Sequence, residues 1–368
     1  MKILLLAGEE SGVLYAKKIA EAVRGRSAAV EIRGYGDYGF ETSELAVIGF
    51  FAVLRKLRFF LRVKRTMERA IDEWRPDVVC TVDYPGMNLK LAAYAKARGI
   101  RAVHVVCPQV WAWKKGRIPK IEAALDRLCC FFPFEPALFK PGFAEFVGHP
   151  LVDEMAREPG CEGRKTRDGR RVLALLPGSR LGEIEKILPT ALEVIERLQG
   201  EISGLTVVIP AANDRAYRAI SSCVSRLKSS SLRVTRGGAR AALRDADAAI
   251  VASGTATLEA ALIGCPTVLV YKVNWLFAAI MRRLIKGVRH LGLANIIAEK
   301  AGVACPMPEL LQENFKPGNI LQYVLPWLKD AAANAAARQS LAETMKILKS
   351  DGGAIERIVT TLQISRDF

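Results

Sequence analysis

Two short segments in the second half of the chain combine small residues, hydroxyl groups and a cation at the ends of apolar runs. They are LALLPGSRLGEIE at 173–185 and VASGTATLEAA at 251–261. Each predicts a buried strand, a tight turn and then a helix start, where free backbone N–H groups and the helix dipole attract an anion. Gly178 lets a ligand approach the backbone, Ser179 supplies a hydroxyl, and Arg180 can hold a phosphate through two hydrogen bonds. The pattern predicts a phosphate site.

The second turn gives the same chemistry without a cation. Ser253, Gly254 and Thr255 follow the run AAIVA, so both turns together can hold one nucleotide. Glu259 lies one helical turn further along, where a carboxylate can accept hydrogen bonds from both ribose hydroxyls. The alternative is that the helix dipole simply favours an acidic residue near this helix start.

The first half offers two carboxylates at strand ends. Asp83 follows VVCTV and directly precedes Tyr84; a carboxylate in that position is a candidate general base, and the alternative is that it caps the next turn. Glu9 lies in the turn AGEESG and is a second candidate base. That turn also carries three small residues, Gly8, Ser11 and Gly12.

The loop CPQVWAWKKGR at 107–117 carries aromatic rings and cations together. Trp111 and Trp113 are suited to stacking on a sugar or an acyl chain, and Lys114 to holding a phosphate. We therefore expect this loop to bind a second substrate.

A metal site is not expected. Asp245 and Asp247 form a D-x-D pattern, but they precede a strand, at the end opposite the phosphate turn, which favours a solvated connection. The three histidines lie far apart in sequence, and none of the eight cysteines forms a C-x-x-C pair, so reduced structural thiols are expected. No cofactor is predicted.

Two amphipathic segments have basic faces and no acidic residue. In the segment at 50–65, apolar Phe50, Val53, Leu54, Leu57 and Phe60 oppose a basic stripe, and the residues expected to contact lipid are Phe51, Leu54, Arg55, Arg58, Phe59 and Arg62. The segment at 275–289 repeats the pattern. Packing on a core with a solvated basic face is the alternative; the clustered aromatics and absent acids favour a helix resting in acidic headgroups.

Strand-like and helix-like runs alternate through both halves, which predicts α/β architecture with two doubly wound, Rossmann-like domains. The polar stretch at 157–171 is the expected hinge. The predicted domains are therefore 1–160, which binds the second substrate, and 161–345, which binds the nucleotide. Residues 346–368 form a helix and tail expected to pack back on the first domain.

The composition favours a globular protein with an anionic partner. The chain has 368 residues, 51% of them hydrophobic, and a formal net charge of +16 at pH 7. The apolar run near its N-terminus is shorter than the core of a signal peptide, and no segment approaches the roughly 18 consecutive apolar residues of a membrane span. The net charge alone does not show whether that partner is nucleic acid, a nucleotide or an acidic membrane surface.

With these residues identified, the chain resembles the lipid-A-disaccharide synthase family over most of its length. The resemblance rests on segments that occur in the family's order: AGEESG, ELAVIGF, VDYPGMN, HVVCPQVWAWKKGR, FFPFE, FVGHPLVD, LLPGSRLGEI and SGTATLEAAL. GSR and SGTATLE recur loosely in related transferases, whereas their combination with VWAW and GHP is specific to this family.

The resemblance implies two facing domains of the GT-B type and an inverting, metal-independent glycosyltransferase of lipid A biosynthesis, peripheral on the cytoplasmic face of the inner membrane. It implies UDP-2,3-diacylglucosamine as donor and 2,3-diacylglucosamine 1-phosphate as acceptor, joined through a β-1,6 bond. The family's essential aspartate matches Asp83, its arginine Arg180 and its N-terminal glutamate Glu9. Its late asparagine, implied to bind UDP, matches Asn295.

Two rival functions stay open at this point. The first is another UDP-N-acetylglucosamine enzyme of the same architecture, either the lipid-linked transferase of peptidoglycan or a 2-epimerase, although an epimerase has little use for basic, aromatic helices. The second is a protein that binds nucleic acid or acidic lipid without catalysis. Nucleic acid is not the expected partner, because that function leaves GSR, SGTATLE and Asp83 unused. The sequence is compatible with a homo-oligomer.

Overall fold

The computed structural model describes residues 1–41, 57–157, 170–225, 231–273 and 289–363. The chain divides into two compact units, Met1–Asp153 with Leu348–Phe368, and Glu154–Ile347. The boundary thus precedes the polar stretch in which the sequence placed it. Each unit holds its own parallel sheet, as the alternation of strands and helices predicts.

The first unit is built on a six-stranded parallel sheet in the order β2-β1-β3-β4-β5-β6. Its strands are β1 (Lys2–Ala7), β2 (Glu31–Arg33), β3 (Val78–Val82), β4 (Arg101–Val105), β5 (Arg127–Cys130) and β6 (Ala144–Phe146). The helices that precede the second unit are α1 (Glu10–Arg26), α2 (Leu57–Trp74), α3 (Pro85–Lys96), α4 (Ile118–Ala124) and α5 (Pro150–Arg157), the last of which crosses the division between the units. Strands β3 and β4 are buried at every position, as expected of central strands covered by helices on both faces.

The last helix of the chain completes the first unit. Helix α13 (Ala354–Gln363) contributes Ile358, Val359 and Leu362 to the hydrophobic core that also contains residues of β1 and α1. Buried Arg101 donates a hydrogen bond of 2.7 Å to the carbonyl of Thr361. The first unit is therefore not contiguous in sequence.

The second unit is also a six-stranded parallel sheet, in the order β12-β11-β10-β7-β8-β9. Its strands are β7 (Val172–Leu176), β8 (Thr206–Ala211), β9 (Leu232–Arg236), β10 (Ala248–Ala252), β11 (Thr267–Tyr271) and β12 (Glu309–Leu311). Its described helices are α6 (Leu181–Glu201), α7 (Asp214–Val224), α8 (Ala239–Asp245), α9 (Thr255–Ile263), α10 (Leu293–Ala301), α11 (Pro317–Lys329) and α12 (Ala331–Met345).

Each sheet reverses its strand order at one place, and the predicted turns emerge there. In the first unit the order reverses between β1 and β3, where Ala7 pairs with Val82. In the second it reverses between β7 and β10, where Leu176 pairs with Val251. Ligands of doubly wound sheets bind in the crevice outside such reversal points, because the flanking connections leave there in opposite directions.

Helix α2 corrects part of the membrane prediction. Phe60 is 8% exposed and packs in the core with Val63 and Met67, so its assignment to a lipid-facing stripe was wrong. Leu57 and Leu61 are the exposed apolar residues instead, at 50% and 44%. The apolar positions of this helix form two faces, and the sequence pattern had merged them. Phe51, Leu54 and Arg55, and residues 275–288 of the second segment, lie outside the described residues.

Asp247 corrects a second expectation, that the D-x-D pattern is a solvated connection. Asp247 is 1% exposed, and its Oδ2 accepts a hydrogen bond of 2.8 Å from the backbone N–H of Val172. It thereby joins the first residues of β10 and β7. The two strands do begin at the edge opposite the phosphate turn, as predicted.

Within the described ranges, no helix is both long and apolar enough to cross a membrane.

Candidate functional site

The turn after β7 has the backbone geometry that a close anion requires. Gly178 has φ +111°, a region that residues with a Cβ seldom adopt. Arg180 is extended, with φ −100° and ψ 139°, and precedes the first residue of α6. A Cβ at Gly178 would lie 2.6 Å from Oε2 of Glu183, an atom at the end of a flexible side chain that can move away, so the positive φ is what favours glycine here. The N–H groups of this turn and of the first residues of α6 are the donors that the sequence predicts for an anion.

The guanidinium of Arg180 is available to a ligand. Its side chain is 68% exposed and pairs with Glu183 at 3.1 Å. Such an exposed pair contributes at most about 1 kcal/mol, so a phosphate can replace the carboxylate at small cost. Tyr271, the last residue of β11, lies close by: burial raises the pKa of its hydroxyl, Glu183 raises it further, and Arg180 lowers it.

The turn after β10 supplies a second helix start beside the first. Gly254 has φ 156° and precedes α9, where Thr257 donates a side-chain hydrogen bond of 2.7 Å to the Gly254 carbonyl. Ser253 is anchored through its N–H to the carbonyl of Val270 at 3.1 Å. Thr255 is exposed at the first position of the helix. The structure therefore brings the two predicted turns to neighbouring strand ends.

Glu259 is half-buried on α9 and already has a cationic partner. Its Oε1 accepts a hydrogen bond of 2.8 Å from Nε of Arg240, which also pairs with Glu154 at 3.2 Å. The paired acids raise the pKa of Arg240 and oppose the lowering by burial. Arg240 fixes the position of this carboxylate.

Asn295 makes a different set of contacts from those predicted. It is buried, and its Nδ2 donates to the carbonyl of Met307 at 2.7 Å and to Oε1 of Glu309 at 2.9 Å. Its Oδ1 accepts from the N–H of Met307 at 3.0 Å. Both amide hydrogens and the oxygen are thus engaged within the protein, so Asn295 fixes the chain before β12 and is not among the proposed UDP contacts.

The turn after β3 holds the first candidate base in a strained backbone. Asp83 and Tyr84 both have φ 51°, in the left-handed region that non-glycine residues rarely adopt. Each such residue costs on the order of 1–3 kcal/mol, and strain of this kind concentrates at functional sites. Asp83 Oδ1 accepts a hydrogen bond of 2.8 Å from the N–H of Tyr84. This bond joins adjacent residues, and the N-cap of α3 is Tyr84, which makes no side-chain capping hydrogen bond, so the contact is not the capping role that the sequence left as an alternative.

The electrostatic environment of Asp83 favours a proton acceptor. Burial raises the pKa of Asp83, while the hydrogen bond from Tyr84 opposes that rise. Burial and the charge of Asp83 raise the pKa of Glu9, which places the two carboxylates close enough to interact. A raised pKa makes a carboxylate a stronger base, which suits proton abstraction.

Gly8 and Gly12 make room for this pair. A Cβ at Gly8 would lie 2.4 Å from Cδ1 of the Tyr84 ring, and one at Gly12 would lie 3.2 Å from the carbonyl of Val82. A Cβ at Gly8 would therefore displace the Tyr84 ring, and one at Gly12 would be in tight contact with the end of β3. Ser11 is exposed on the first turn of α1.

The Trp-rich loop divides into a buried and an exposed part. Trp111 is buried, and its Nε1 donates a hydrogen bond of 3.0 Å to Oε1 of Glu135. Trp113 is 42% exposed, with Nζ of Lys114 at 4.2 Å from its ring centroid. Trp111 therefore supports the loop, and Trp113 with Lys114 is the part available to a ligand.

Glu135 belongs to a group in which potential metal ligands converge within the described part of the chain. Cys107, Cys130 and Glu135 bring one ligand atom each within 4.8 Å of one another. Both Glu135 oxygens already accept hydrogen bonds, from Trp111 and from the N–H of Phe132, and burial raises its pKa to about 8. The hydrogen bond to Cys107 and burial raise the pKa of Cys130, which disfavours the thiolate that a metal requires. This group therefore supports the loop.

Comparison with known proteins decides the family. The sequence matches the family model of lipid-A-disaccharide synthetase over residues 3–354. A lipid-A-disaccharide synthase of Burkholderia pseudomallei (strain K96243) is 38% identical over 354 residues, covering 91% of this chain and 89% of the relative. That of Syntrophus aciditrophicus (strain SB) is 34% identical over 377 residues, covering 98% and 97%. The chain belongs to the lipid-A-disaccharide synthase family.

Membership of the lipid-A-disaccharide synthase family makes this chain a glycosyltransferase of lipid A disaccharide formation, and the rival functions are not favoured. Its fold is shared more widely. The crystal structure of a UDP-GlcNAc 2-epimerase from Neisseria meningitidis, bound to UDP-GlcNAc, superposes with a TM-score of 0.61 at 12% identity, covering 98% of this chain and 99% of that one. At that identity the likeness shows architecture alone.

Four residues near the candidate sites of the two units do not figure in the sequence analysis. Asn213 donates from Nδ2 to the carbonyl of Ser179 at 3.3 Å and caps α7. Tyr271 and Glu183 lie beside Arg180, and Asn88 lies beside Asp83. A cap signal at Asn213 and the motif VDYPGMN around Asn88 were visible in the sequence, but neither predicts which strand end the side chain contacts.

Proposed function

We propose that this synthase transfers 2,3-diacylglucosamine from UDP-2,3-diacylglucosamine to 2,3-diacylglucosamine 1-phosphate, forming a β-1,6 bond and UDP. The observation that carries the proposal is the pairing of motifs at the two strand-order reversals. One reversal has an anion-binding pair of helix starts with Arg180, and the other has the two carboxylates Glu9 and Asp83. The first suits a nucleotide diphosphate and the second a hydroxyl nucleophile.

The acceptor hydroxyl attacks the anomeric carbon as the bond to the diphosphate breaks, with inversion. An ordinary Asp has a pKa near 4, roughly ten or more units below that of a sugar hydroxyl, so Asp83 cannot form an alkoxide in advance. It takes the proton while the new bond forms. The raised pKa of Asp83 improves this transfer.

The leaving diphosphate gains negative charge as the bond breaks. Arg180 and the N–H groups at the starts of α6 and α9 are the groups proposed to stabilise it. Gly178, Ser179, Ser253, Gly254 and Thr255 line the same strand ends. Glu259 is proposed to accept the ribose hydroxyls, and Trp113 with Lys114 to contact the acceptor.

The test measures UDP release from UDP-2,3-diacylglucosamine in mixed micelles containing EDTA, with and without the acceptor. Acceptor-dependent UDP and a disaccharide 1-phosphate, identified by mass spectrometry, are expected. Turnover of UDP-N-acetylglucosamine alone would reassign the substrate, and loss of activity on chelation with recovery on adding Mg²⁺ would overturn metal independence.

The fall of kcat at low pH reports the pKa of the proposed base. Because the base must be ionised, kcat falls as the pH drops through its pKa, and burial raises that pKa for both Asp83 and Glu9. We therefore expect the midpoint of the acid limb of kcat clearly above the ordinary carboxyl value of about 4. Stopped assays across the pH range check it, with chain integrity monitored by circular dichroism. A midpoint at or below about 4 would contradict a desolvated base.

We also propose that the protein is peripheral on the cytoplasmic face of the inner membrane, through the exposed side of α2. Leu57 and Leu61 lie beside Arg58, Arg62 and Arg65, all exposed, which combines apolar side chains with cations suited to anionic headgroups. Phe59 is half-buried, and the guanidinium of Arg62 lies 5.6 Å from its ring centroid.

Changing Arg58, Arg62 and Arg65 to Glu is expected to abolish sedimentation with phosphatidylglycerol vesicles, because attraction becomes repulsion. The matched control changes Arg197, Arg215 and Arg218, which are exposed in the second unit, to Glu. That control alters net charge equally and is expected to retain most binding. Equal losses in both triple variants would point to net charge rather than this face, and retained binding in the first would remove the proposal.

A further inference from the structure

We propose that Asn88 is a positioning residue that holds Asp83 in its reactive orientation, an inference that rests on the proposed role of Asp83 as base. Asn88 is fully buried near the start of α3. It lies within VDYPGMN, but nothing in the proposed chemistry uses it. Its side chain does not reach a substrate and acts through the backbone of the catalytic turn.

The side-chain amide of Asn88 donates hydrogen bonds to three carbonyls at the strand-order reversal. Nδ2 donates to the carbonyl of Asp83 at 2.8 Å, to that of Val82 at 3.2 Å and to that of Leu6 at 3.3 Å, with one of its two hydrogens shared between two of these oxygens. Val82 is the last residue of β3, Asp83 follows it, and Leu6 lies in β1. One amide thus joins the two strand ends from which both candidate bases emerge.

A second buried side chain engages the other end of this amide. Carbonyl oxygens only accept hydrogen bonds, so they require Nδ2 to face them, and Oδ1 faces Tyr35. The hydroxyl of Tyr35 therefore donates a hydrogen bond of 2.8 Å to Oδ1 of Asn88, and Tyr35 is 4% exposed. Burial raises the pKa of Tyr35 far above its ordinary value, so this donor keeps its proton throughout the working pH range.

The turn needs such support because its backbone is held in a conformation it would otherwise leave. Asp83 and Tyr84 both have φ 51°, and the N–H of Asn88 donates to the Tyr84 carbonyl at 3.2 Å. Asn88 therefore binds the turn at both strained residues, through its side chain and its backbone. Without the amide, the turn can relax toward an extended conformation and carry the Asp83 carboxylate away from the acceptor hydroxyl. Displacement of about 1 Å can reduce the rate about 10²-fold.

The experiment is a double-mutant cycle on the full chain. Asn88→Ala is expected to lower kcat by about 10²-fold with the KM for the UDP-sugar changed less than about threefold. In the Asp83→Asn background, Asn88→Ala is expected to lower kcat by less than about threefold, because the group it positions is already inactive. Independent, multiplicative losses would overturn the inference.

Two further variants separate positioning from loss of stability. Asn334 is the matched control: its Nδ2 also donates to two carbonyls, of Asp247 at 2.7 Å and Trp327 at 2.9 Å, within the second unit. Asn334→Ala is expected to lower the melting temperature without changing kcat. Tyr35→Phe removes only the hydroxyl oxygen and is expected to reduce kcat about 3- to 10-fold. Because this change is small, the variant still tests the inference if Asn88→Ala does not fold.

The outcomes also separate this inference from the proposed mechanism. If Asp83→Asn retains wild-type kcat, the base assignment fails and the inference falls with it. If Asp83→Asn is impaired while folded Asn88→Ala and Tyr35→Phe retain wild-type kcat, the mechanism stands and Asn88 is only a core residue.

Discussion

Replacing Asp83 with Asn is expected to lower kcat by about 10²- to 10⁴-fold, the usual contribution of a general base. The side chain keeps its size, and an amide oxygen can still accept the hydrogen bond that Tyr84 donates to Oδ1 at 2.8 Å. The variant therefore loses the proton acceptor while the turn is retained. UDP binding, which we propose depends on residues of the second unit, is expected to change less than about threefold.

Single-turnover kinetics with acceptor in excess measure the chemical step, and isothermal titration measures UDP binding in the same preparation. Asp126→Asn is a suitable control, because its Oδ2 accepts from the N–H of Ala102 at 2.8 Å where β4 and β5 begin, at the opposite edge of the same sheet. It is expected to retain wild-type kcat. Full activity of Asp83→Asn would transfer the role to Glu9, which Glu9→Gln would then test.

Replacing Asp83 also changes the pKa of Glu9, which the pH profile of the variant's residual activity can detect. The charge of Asp83 contributes to the raised pKa of Glu9, after burial. In Asp83→Asn that contribution disappears, so any residual activity that depends on ionised Glu9 should show an acid limb at lower pH than in the wild type. An unchanged midpoint would show that Glu9 does not carry the residual rate.

The placement of the candidate residues at the carboxyl edges of the sheets could be predicted from sequence because parallel sheets impose it. Once Val172–Leu176 and Ala248–Ala252 are identified as strands, the residues that follow must emerge at that edge. Strand order is not encoded locally, so the sequence did not show that β7 pairs with β10. The pairing of Leu176 with Val251 is what brings the two motifs to neighbouring strand ends.

Contacts between distant residues could not be predicted. Tyr35 and Asn88 are separated by 53 positions and meet only when β1 and β3 pair. The left-handed conformation of Asp83 and Tyr84 is also imposed by tertiary structure, since neither residue type favours it in isolation. Phe60 shows the same limit for α2, because two apolar faces of one helix look alike until the core is assembled.

Arg180→Ala is expected to weaken UDP binding by about 10- to 10²-fold, which corresponds to the roughly 1.5–3 kcal/mol of a hydrogen bond to a charged group. Among the described residues, Arg180 forms its salt bridge with Glu183, at 3.1 Å, while its side chain is 68% exposed. The guanidinium therefore exchanges a weak, solvated partner for a doubly charged ligand. In the variant, Glu183 faces the diphosphate without its cation, which adds repulsion to the lost attraction.

Titration with UDP and with uridine in parallel isolates the phosphate contribution, because the loss is expected for UDP alone. Arg197→Ala is the matched control: Arg197 pairs with Glu193 at 2.7 Å on the same helix and is 54% exposed, so its removal changes net charge equally.

Arg180→Lys is expected to recover only part of the affinity, since an ammonium cannot bind the diphosphate through two parallel hydrogen bonds. The double variant Arg180→Ala/Glu183→Gln is expected to bind UDP a few-fold more tightly than Arg180→Ala alone, because the carboxylate that repels the diphosphate has been removed. Equal weakening of UDP and uridine by Arg180→Ala would mean that the turn itself had collapsed, and unchanged UDP affinity would remove Arg180 from the diphosphate site.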